Sequence, residues 1–589
     1  MESYTNTQNK LETLPKDVLL TDNFKKNTGS YAVLESLMNE NVEYIFGYPG
    51  GAIMPIYDAL FDYSDAIEHI LVRHEQGATH AAEGYARATG KTGVVFATSG
   101  PGATNLVTGL ADAFMDSVPM VCIVGQVPSV LLGTDAFQES NVMSLTKSVT
   151  KWNYQIVDAN EIPEIIAKAF HVAKTGKPGP VVIEITKDAQ VAERTQNFYY
   201  PRFKELKNTV FTSKFDSFKL ELQKAAALLN QAKQPLLIVG NGVGISKAEA
   251  EVLKLVEKQN IPTACTLHGL SNFLSNHPLF TGMVGMHGNY APNKLTNESD
   301  VILAVGMRFD DRVTGNINTY AKQAKIIHIE IDPSEVNKVV EAEVVLLGDA
   351  KKVVQELLPL LINKSNPKWL EQFKKLDEEE SLYVRNEAVM AKQDGLTMSY
   401  VIHQLSAKTK GTAVIVADVG QHQMMAARYY QFNHPNSYYT SGGLGTMGFA
   451  LPAAMGAKLG QPKREVIAII GDGCFQMTIQ ELATIFQYHV AVKIIVLNNH
   501  YLGMVRQWQS MFFDKRYSFV EMTNPDFSKV AQSFGIKGEN ISETEELDDA
   551  LERMLNAEES YLLNIHVKRE EYVFPMITAG SSVSDIRLF

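Results

Sequence analysis

Short apolar runs recur along this chain, and each stops at glycine, proline, aspartate or asparagine before a helix-like pattern resumes. Between about Ser30 and Ala189 they are VEYIFGYPGG, GVVFATSGPG, MVCIVGQVP and PVVIEITKD. Such alternation predicts a parallel sheet covered by helices. PLLIVGNGVG, VILAVGMRFDD, KIIHIEIDP and EVVLLGDA form a second set; AVIVADVGQHQ, EVIAIIGDG, VKIIVLNN and LLNIHV form a third. Two polar stretches, AERTQNFYYPRFKELKNTVFTSKFD and PKWLEQFKKLDEEESLYVRNEAV, read as separators. The expectation is an α/β chain of three doubly wound parallel-sheet domains, at residues 30–190, 216–362 and 396–575. Linkers fall at 191–215 and 363–395, and tails at 1–29 and 576–589. In open parallel sheets ligands collect beyond the carboxyl ends of the strands, which is where the Gly and Asp endings lie.

Composition narrows the function. A chain of 589 residues is long enough for about three cores, and 45% hydrophobic with 20% charged residues is ordinary for a globular protein. A net charge of −12 without a dense basic block argues against nucleic acid or an anionic membrane as partner. Cys122, Cys265 and Cys474 are sparse and odd in number, which fits buried thiols in a reducing compartment. Nothing approaches the ~18 consecutive apolar residues of a membrane span. The polar, acid-containing N-terminus is unlike a signal or transit peptide, so a mobile tail on a cytoplasmic protein is expected.

The strongest candidate chemistry lies in VIAIIGDGCFQM. Gly471-Asp472-Gly473 is followed by a helix-like segment and then by a strand that closes on Asn498-Asn499. Residues 474 to 497 suffice for one βαβ crossover, which would set Asp472 and Asn499 at the same sheet edge. A carboxylate and an amide oxygen there suit Mg²⁺, a hard cation that takes the rest of its oxygens from phosphate and water. Gly471 and Gly473 would form the turn and leave room for a diphosphate at the helix start. Alone, GDG is also a plain structural turn. Paired with NN at this spacing it resembles the thiamine diphosphate fingerprint, which implies Asp472, Asn499 and the carbonyl of Tyr501 as metal ligands.

That cofactor needs a carboxyl group beside its pyrimidine nitrogen, in a dry pocket where a proton can be shared. Glu75, in RHEQGA upstream of SGPGATN, resembles this group; as an isolated residue it would be a helix-start acid favoured by the dipole. SGGLGTMGFALPAAMG resembles the segment beneath the bent cofactor, with Gly445 and Met447. DVGQHQM resembles the diphosphate segment, with Gln421 and His422, and Cys474, Gly503 and Met504 complete the thiamine set. By default a Met in such a run is core packing and a lone His a satisfied structural residue.

GYPGGAIMPIYDAL, GTDAFQE, GMHGNYAPN, GMRFDDRVTG and LNNHYLGMVRQWQ extend the match over about residues 30 to 575. The chain resembles the catalytic subunits of the acetohydroxyacid (acetolactate) synthase family. The resemblance implies pyrimidine-binding, central and diphosphate-binding domains, in that order. It also implies a homodimer or tetramer in which Glu75 of one chain serves the cofactor of the other, and a small regulatory subunit. The activity implied is decarboxylation of pyruvate and ligation of the two-carbon unit to pyruvate or 2-oxobutyrate, in isoleucine and valine biosynthesis. Phe137, Gln138 and Lys187 match the substrate channel. Arg312 and Met286 match acceptor-site positions, and Trp508 matches the aromatic that favours the larger acceptor.

FAD is implied along Gly240, Asn241, Gly242, Met286, His287, Gly306, Arg308, Asp310, Arg312, Glu330, Asp332 and Asp349. Lys177 stands where the family usually has Arg, which a bidentate phosphate contact would not survive. Alternatives are a thiamine and FAD pyruvate oxidase, a flavin-free catabolic acetolactate synthase, and a non-catalytic dinucleotide-binding protein. The FQE, FDDRVTG and RQWQ strings count against the first, Arg312 and Trp508 against the second, and intact Glu75, Asp472 and Asn499 against the third.

Overall fold

The structure is a computed structural model, which describes residues 27–203, 215–390 and 395–589. Most of the N-terminal tail and parts of both expected separators lie outside the described residues. Three six-stranded sheets follow one another, and every strand pair within them is parallel. Across the first sheet the strands run Glu68–Leu71, Tyr44–Gly47, Gly93–Ala97, Met120–Gln126, Pro180–Thr186, Trp152–Ile156. The second runs Val344–Leu347, Lys325–Glu330, Val301–Val305, Pro235–Val239, Thr263–Cys265, Phe280–Met283. The third runs Tyr438–Thr440, Val414–Ala417, Val466–Gly471, Lys493–Asn498, Tyr561–His566, Lys537–Ile541. Among the described residues, no helix is long and apolar enough to cross a membrane.

The third sheet is buried on both faces by its own helices, Gln421–Tyr429 on one and Ala450–Gly460 on the other, and through them each core continues into a different neighbouring domain. Val414, Val416, Val466, Ala468 and Ile470 share a core with Val95 and Val124 of the first sheet. Their alternates Ile415, Ala417, Ile467 and Ile469 share another with Leu237 and Leu303 of the second. Strand residues alternate sides with a period of two, so an unbroken apolar run signals two covered faces.

The first and third domains also meet through helices Glu75–Thr89 and Ala450–Gly460. A Cβ at Gly84 would collide with the Ala453 carbonyl, and one at Gly456 with the Ala81 carbonyl. Only glycine permits that approach. The described part of the second separator is packed, since helix Pro367–Glu380 buries Trp369 and Phe373 in the outer core of the central sheet. Past residue 575 the chain returns to the same core through Ile577, Val583 and Ile586.

Candidate active site

The GDG segment is not a tight turn. Gly471 ends its strand and caps a helix, and Asp472 and Gly473 are the first residues of that helix, Asp472–Thr478. Neither glycine has a positive φ. Their small size serves close packing instead: a Cβ on Gly471 would press on the His422 ring at 2.7 Å, and one on Gly473 on Leu502 at 2.8 Å. The expected turn is thereby corrected to a direct strand-to-helix passage.

Gly471 is in register with Leu497, so Asp472 and Asn499 do leave adjacent strands at one edge. Both are buried. Asn524, which the sequence reading did not single out, ties this edge together: its Nδ2 donates to Asp472 Oδ2 at 2.6 Å and to Asn498 Oδ1 at 2.9 Å. Asn499 Oδ1 accepts from the Tyr501 amide at 3.1 Å, which folds the chain so that Tyr501 follows at the same edge. Burial raises the Asp472 carboxyl, opposed by the Asn524 hydrogen bond. A hard cation at this edge would reverse the shift, and a carboxylate, an amide oxygen and a carbonyl are the donors it takes.

The neighbouring helix Gln421–Tyr429 starts at the same edge, after Gly420 at φ +149. His422 Nε2 is buried without a hydrogen-bond partner among the described residues. Burial pushes its imidazole down to about 3, so the ring is neutral. An unpartnered polar atom beside helix amides fits a phosphate group. Gln421 behaves differently, since its amide donates to Gln507 Oε1 at 2.9 Å and to the Glu571 carbonyl at 2.8 Å. Gly503 is required next to it, because a Cβ there would collide with Gln421 Oε1 and lie 2.9 Å from Asn499 Nδ2.

Asp418, the first residue of DVGQHQM but not singled out there, organises the segment carrying Met447. Its carboxylate accepts from the amides of Val419 at 2.8 Å and of Gly448 and Ala450 at 2.9 Å. Gly445 and Gly448 take positive φ on either side of Met447. The Met447 methyl reaches to 3.7 Å from a Cβ built on Gly473. Asp418, His422 and Cys474 place ligand-type atoms within 4.8 Å of one another. Those three amides already engage Asp418, and the Cys474 thiol donates to the Val419 carbonyl at 3.1 Å, so this cluster is a packed support.

Glu75 lies at the corresponding edge of the first sheet, as the first residue of helix Glu75–Thr89, and is 8% exposed. Its Oε2 accepts from Asn105 Nδ2 at 2.8 Å. Oε1 lies 3.2 Å from a Cβ built on Gly102. Gln138 shares this edge, with its backbone against Gly100 and φ of +60. Phe137 beside it is 88% exposed, and Lys187 is exposed at the end of strand Pro180–Thr186.

A cavity of about 1360 Å³ opens between the three domains. Asn241, Gly242, Met286, His287, Gly306, Arg308, Asp310, Arg312, Glu330, Asp349 and Lys177 line its central-domain end, and Gly445, Met447, Met504 and Trp508 line the other. Gly240, Asp332, Glu75 and Asp472 do not line it. Gly240, Gly242 and Gly306 are needed because the two strand ends touch there; Gly306 has φ +58. Lys177 faces Asp332 at 3.8 Å and Glu335 at 3.7 Å. Asp310 and Asp349 accept helix-start amides, at 3.0 Å from Arg312 and 3.1 Å from Lys352. The Arg312 guanidinium touches Met286 Sδ at 3.4 Å, and Trp508 packs on Phe512 with ring centroids 5.1 Å apart. His287 Nδ1 is buried without a partner among the described residues, and burial holds its ring at about 3. A long cavity with glycine-lined strand ends, ribose-capable acids and an unpartnered nitrogen fits a dinucleotide such as FAD.

The three domains match, in order, the family models for the thiamine pyrophosphate (diphosphate) enzyme N-terminal TPP binding domain over residues 27–145, the central domain over 222–357 and the C-terminal TPP binding domain over 418–565. The acetolactate synthase isozyme 2 large subunit of Escherichia coli K12 is 44% identical over 560 residues, covering 95% of this chain and 99% of that protein. The chain belongs to the acetolactate synthase large-subunit family. The probable large subunit of Methanocaldococcus jannaschii is 44% identical over 95% of each chain, and the large subunit of Lactococcus lactis 42% identical over 94% of this chain and 95% of that one. The family is one of thiamine diphosphate enzymes with three α/β domains, and the three sheets correspond to them.

Proposed function

We propose that this chain catalyses the acetolactate synthase reaction, in which pyruvate loses carbon dioxide and its two-carbon remainder is joined to a second 2-oxoacid. The observation that carries the reading is the edge where Asp472 and Asn499 leave adjacent strands beside the unpartnered nitrogen of His422. Bound thiamine diphosphate supplies the electron sink that decarboxylation of a 2-oxoacid requires.

The chain's own residues do the rest. Asp472, Asn499 and the Tyr501 carbonyl hold Mg²⁺, while His422 Nε2 and the amides opening helix Gln421–Tyr429 meet the diphosphate. Met447, with Gly445 and Gly473, forms an apolar rest for the rings, and Cys474, Gly503 and Met504 bound the same space. Glu75 keeps one oxygen on Asn105 and so has the other to share a proton with the pyrimidine nitrogen. Phe137, Gln138 and Lys187 guard the substrate approach. Arg312 meets the carboxylate of the acceptor, pyruvate or 2-oxobutyrate, and Trp508 its alkyl end. FAD would be held in the large cavity, whose lining includes Lys177.

Phe137 is an exposed aromatic next to Gln138, and neither Glu75 nor Asp472 lines the large cavity of the single chain, which supports a homodimer whose sites form between chains. The relatives' description as large subunits supports a small regulatory partner. A cytoplasmic location and a role in branched-chain amino-acid synthesis go with this reading. The test is to supply purified protein with thiamine diphosphate, Mg²⁺ and FAD and measure products from pyruvate competing with 2-oxobutyrate. Both acetohydroxyacids should appear; stoichiometric flavin bleaching by pyruvate without oxygen would replace this reading with an oxidase.

A further inference from the structure

Glu184 is a carboxylate with no exposed surface on strand Pro180–Thr186, which lies next to the edge strand of the first sheet. Nothing in the reaction as described uses it. Burial raises its carboxyl to about 7, although two amide hydrogen bonds oppose the shift and Glu139 is the charged group whose field adds to it. Its Oε1 accepts from Gln126 Nε2 and its Oε2 from Gln155 Nε2, both at 2.5 Å.

Gln126 ends the adjacent strand, and its amide is used completely. Nε2 donates a second hydrogen bond to the Ser140 carbonyl at 3.0 Å, and Oε1 accepts from the Val127 amide at 2.8 Å. A primary amide has two N–H donors, so one aimed at Ser140 and one at Glu184 fix its orientation. Ser140 closes the loop that carries Phe137 and Gln138. This loop holds Gly133, Asp135 and Gln138 at positive φ, a conformation two of them would not keep without restraint. Glu139 pins its other end by accepting from the amides of Gly133 and, at 3.1 Å, Ala136. The Gln138 backbone rests on Gly100, at the start of the segment whose Gly102 borders Glu75.

We propose that Glu184, acting through Gln126, is a positioning residue: together they form a buried tether that sets the pose of the Phe137–Gln138 loop beside Glu75. The inference rests on the carboligase reading for its kinetic consequence, but the tether itself can be measured without any turnover. A shift of about 1 Å in a positioning element is enough to cost 10²-fold in rate.

The experiment uses the full-length protein with thiamine diphosphate, Mg²⁺ and FAD. Gln126→Met removes both donors at similar volume, and Gln126→Asn keeps an amide that is too short to span the gap. Glu184→Leu removes the acceptor that orients Gln126, Glu184→Gln keeps an oxygen facing Gln126, and Gln155→Met cuts only the outer hydrogen bond. Amide deuterium exchange across residues 133–141 should accelerate in both Gln126 variants and in Glu184→Leu, and stay as in the wild type for Glu184→Gln and Gln155→Met. In the same preparations kcat/KM for pyruvate should fall about 10- to 100-fold for the Gln126 variants, with half-saturation by thiamine diphosphate within twofold of wild type. Glu184→Gln should remain within about threefold of wild type. Unchanged exchange in that loop, or a lower Tm with unchanged kcat/KM of the folded protein, would overturn the proposal. A wild type that makes no acetohydroxyacid would instead refute the carboligase reading, leaving the exchange result to judge the tether.

Discussion

Glu481 of the third domain accepts the backbone amide of Arg73 of the first, at 3.0 Å and 3.2 Å to its two carboxylate oxygens. A side chain more than four hundred residues downstream thus caps the approach to the helix that begins with Glu75. Glu481 has no exposed surface, and burial raises its carboxyl to about 7, against hydrogen bonds from Thr484 and Arg73.

A carboxyl whose folded value lies above its ordinary 4.5 contributes stability below that value and loses it as pH rises toward about 7. The loss amounts to on the order of 3 kcal/mol for a shift of that size. Glu481→Gln should therefore show a smaller decline in Tm between pH 4.5 and 7 than the wild type does. Equal declines in calorimetric scans would show that Glu481 stays ionised throughout.

Glu75→Gln keeps the Asn105 contact but removes the shared proton. Thiamine diphosphate should still bind with near-normal half-saturation, while acetolactate formation falls by about 10²- to 10⁴-fold. Near-normal turnover would refute the activation route through this carboxyl.

Asn524→Ala leaves the Asp472 carboxylate without its 2.6 Å donor, and the Asn498 amide oxygen without its 2.9 Å donor. Outer partners of metal ligands are worth about 10- to 100-fold in metal affinity. Titrating Mg²⁺ at saturating thiamine diphosphate should show a weakening of that order, with kcat largely recovered at high Mg²⁺. A lower kcat at unchanged Mg²⁺ affinity would place Asn524 in another role.

Trp508→Leu should change acceptor choice more than overall rate. A methylene in an apolar pocket is worth about 1–3 kcal/mol, so the ratio of 2-aceto-2-hydroxybutyrate to acetolactate should fall by roughly tenfold or more. Competition between the two 2-oxoacids, analysed by product, measures it directly. An unchanged ratio would remove Trp508 from the acceptor site.

The central strands were legible because burial on both faces leaves an unbroken apolar run, as in Val466–Gly471 and Met120–Gln126. The strands not anticipated lie at or next to sheet edges. Trp152–Ile156, Phe280–Met283 and Lys537–Ile541 are partly exposed and mix polar with apolar residues. Such a pattern resembles a loop until a neighbour pairs with it. In the candidate site, Asp472 and Asn499 could be found because their spacing reflects one crossover. Asn524 and Glu481 could not, since each reaches its partner from a separate element and leaves no local periodicity. Asn105, within the quoted SGPGATN string, was nearer to hand, yet only its hydrogen bond to Glu75 marks it out.

Counting sheets gives three domains, but the cores do not divide at the same places. Helix Ala450–Gly460 of the third domain packs on helix Glu75–Thr89 of the first, and the apolar cluster beneath helix Gln421–Tyr429 runs on into the central domain. A gene fragment encoding residues 396–575 alone would release the apolar seam along helix Ala450–Gly460 into water, and its product would aggregate. Heating the whole chain should likewise give overlapping transitions, because each of the other two domains shares a core with the third.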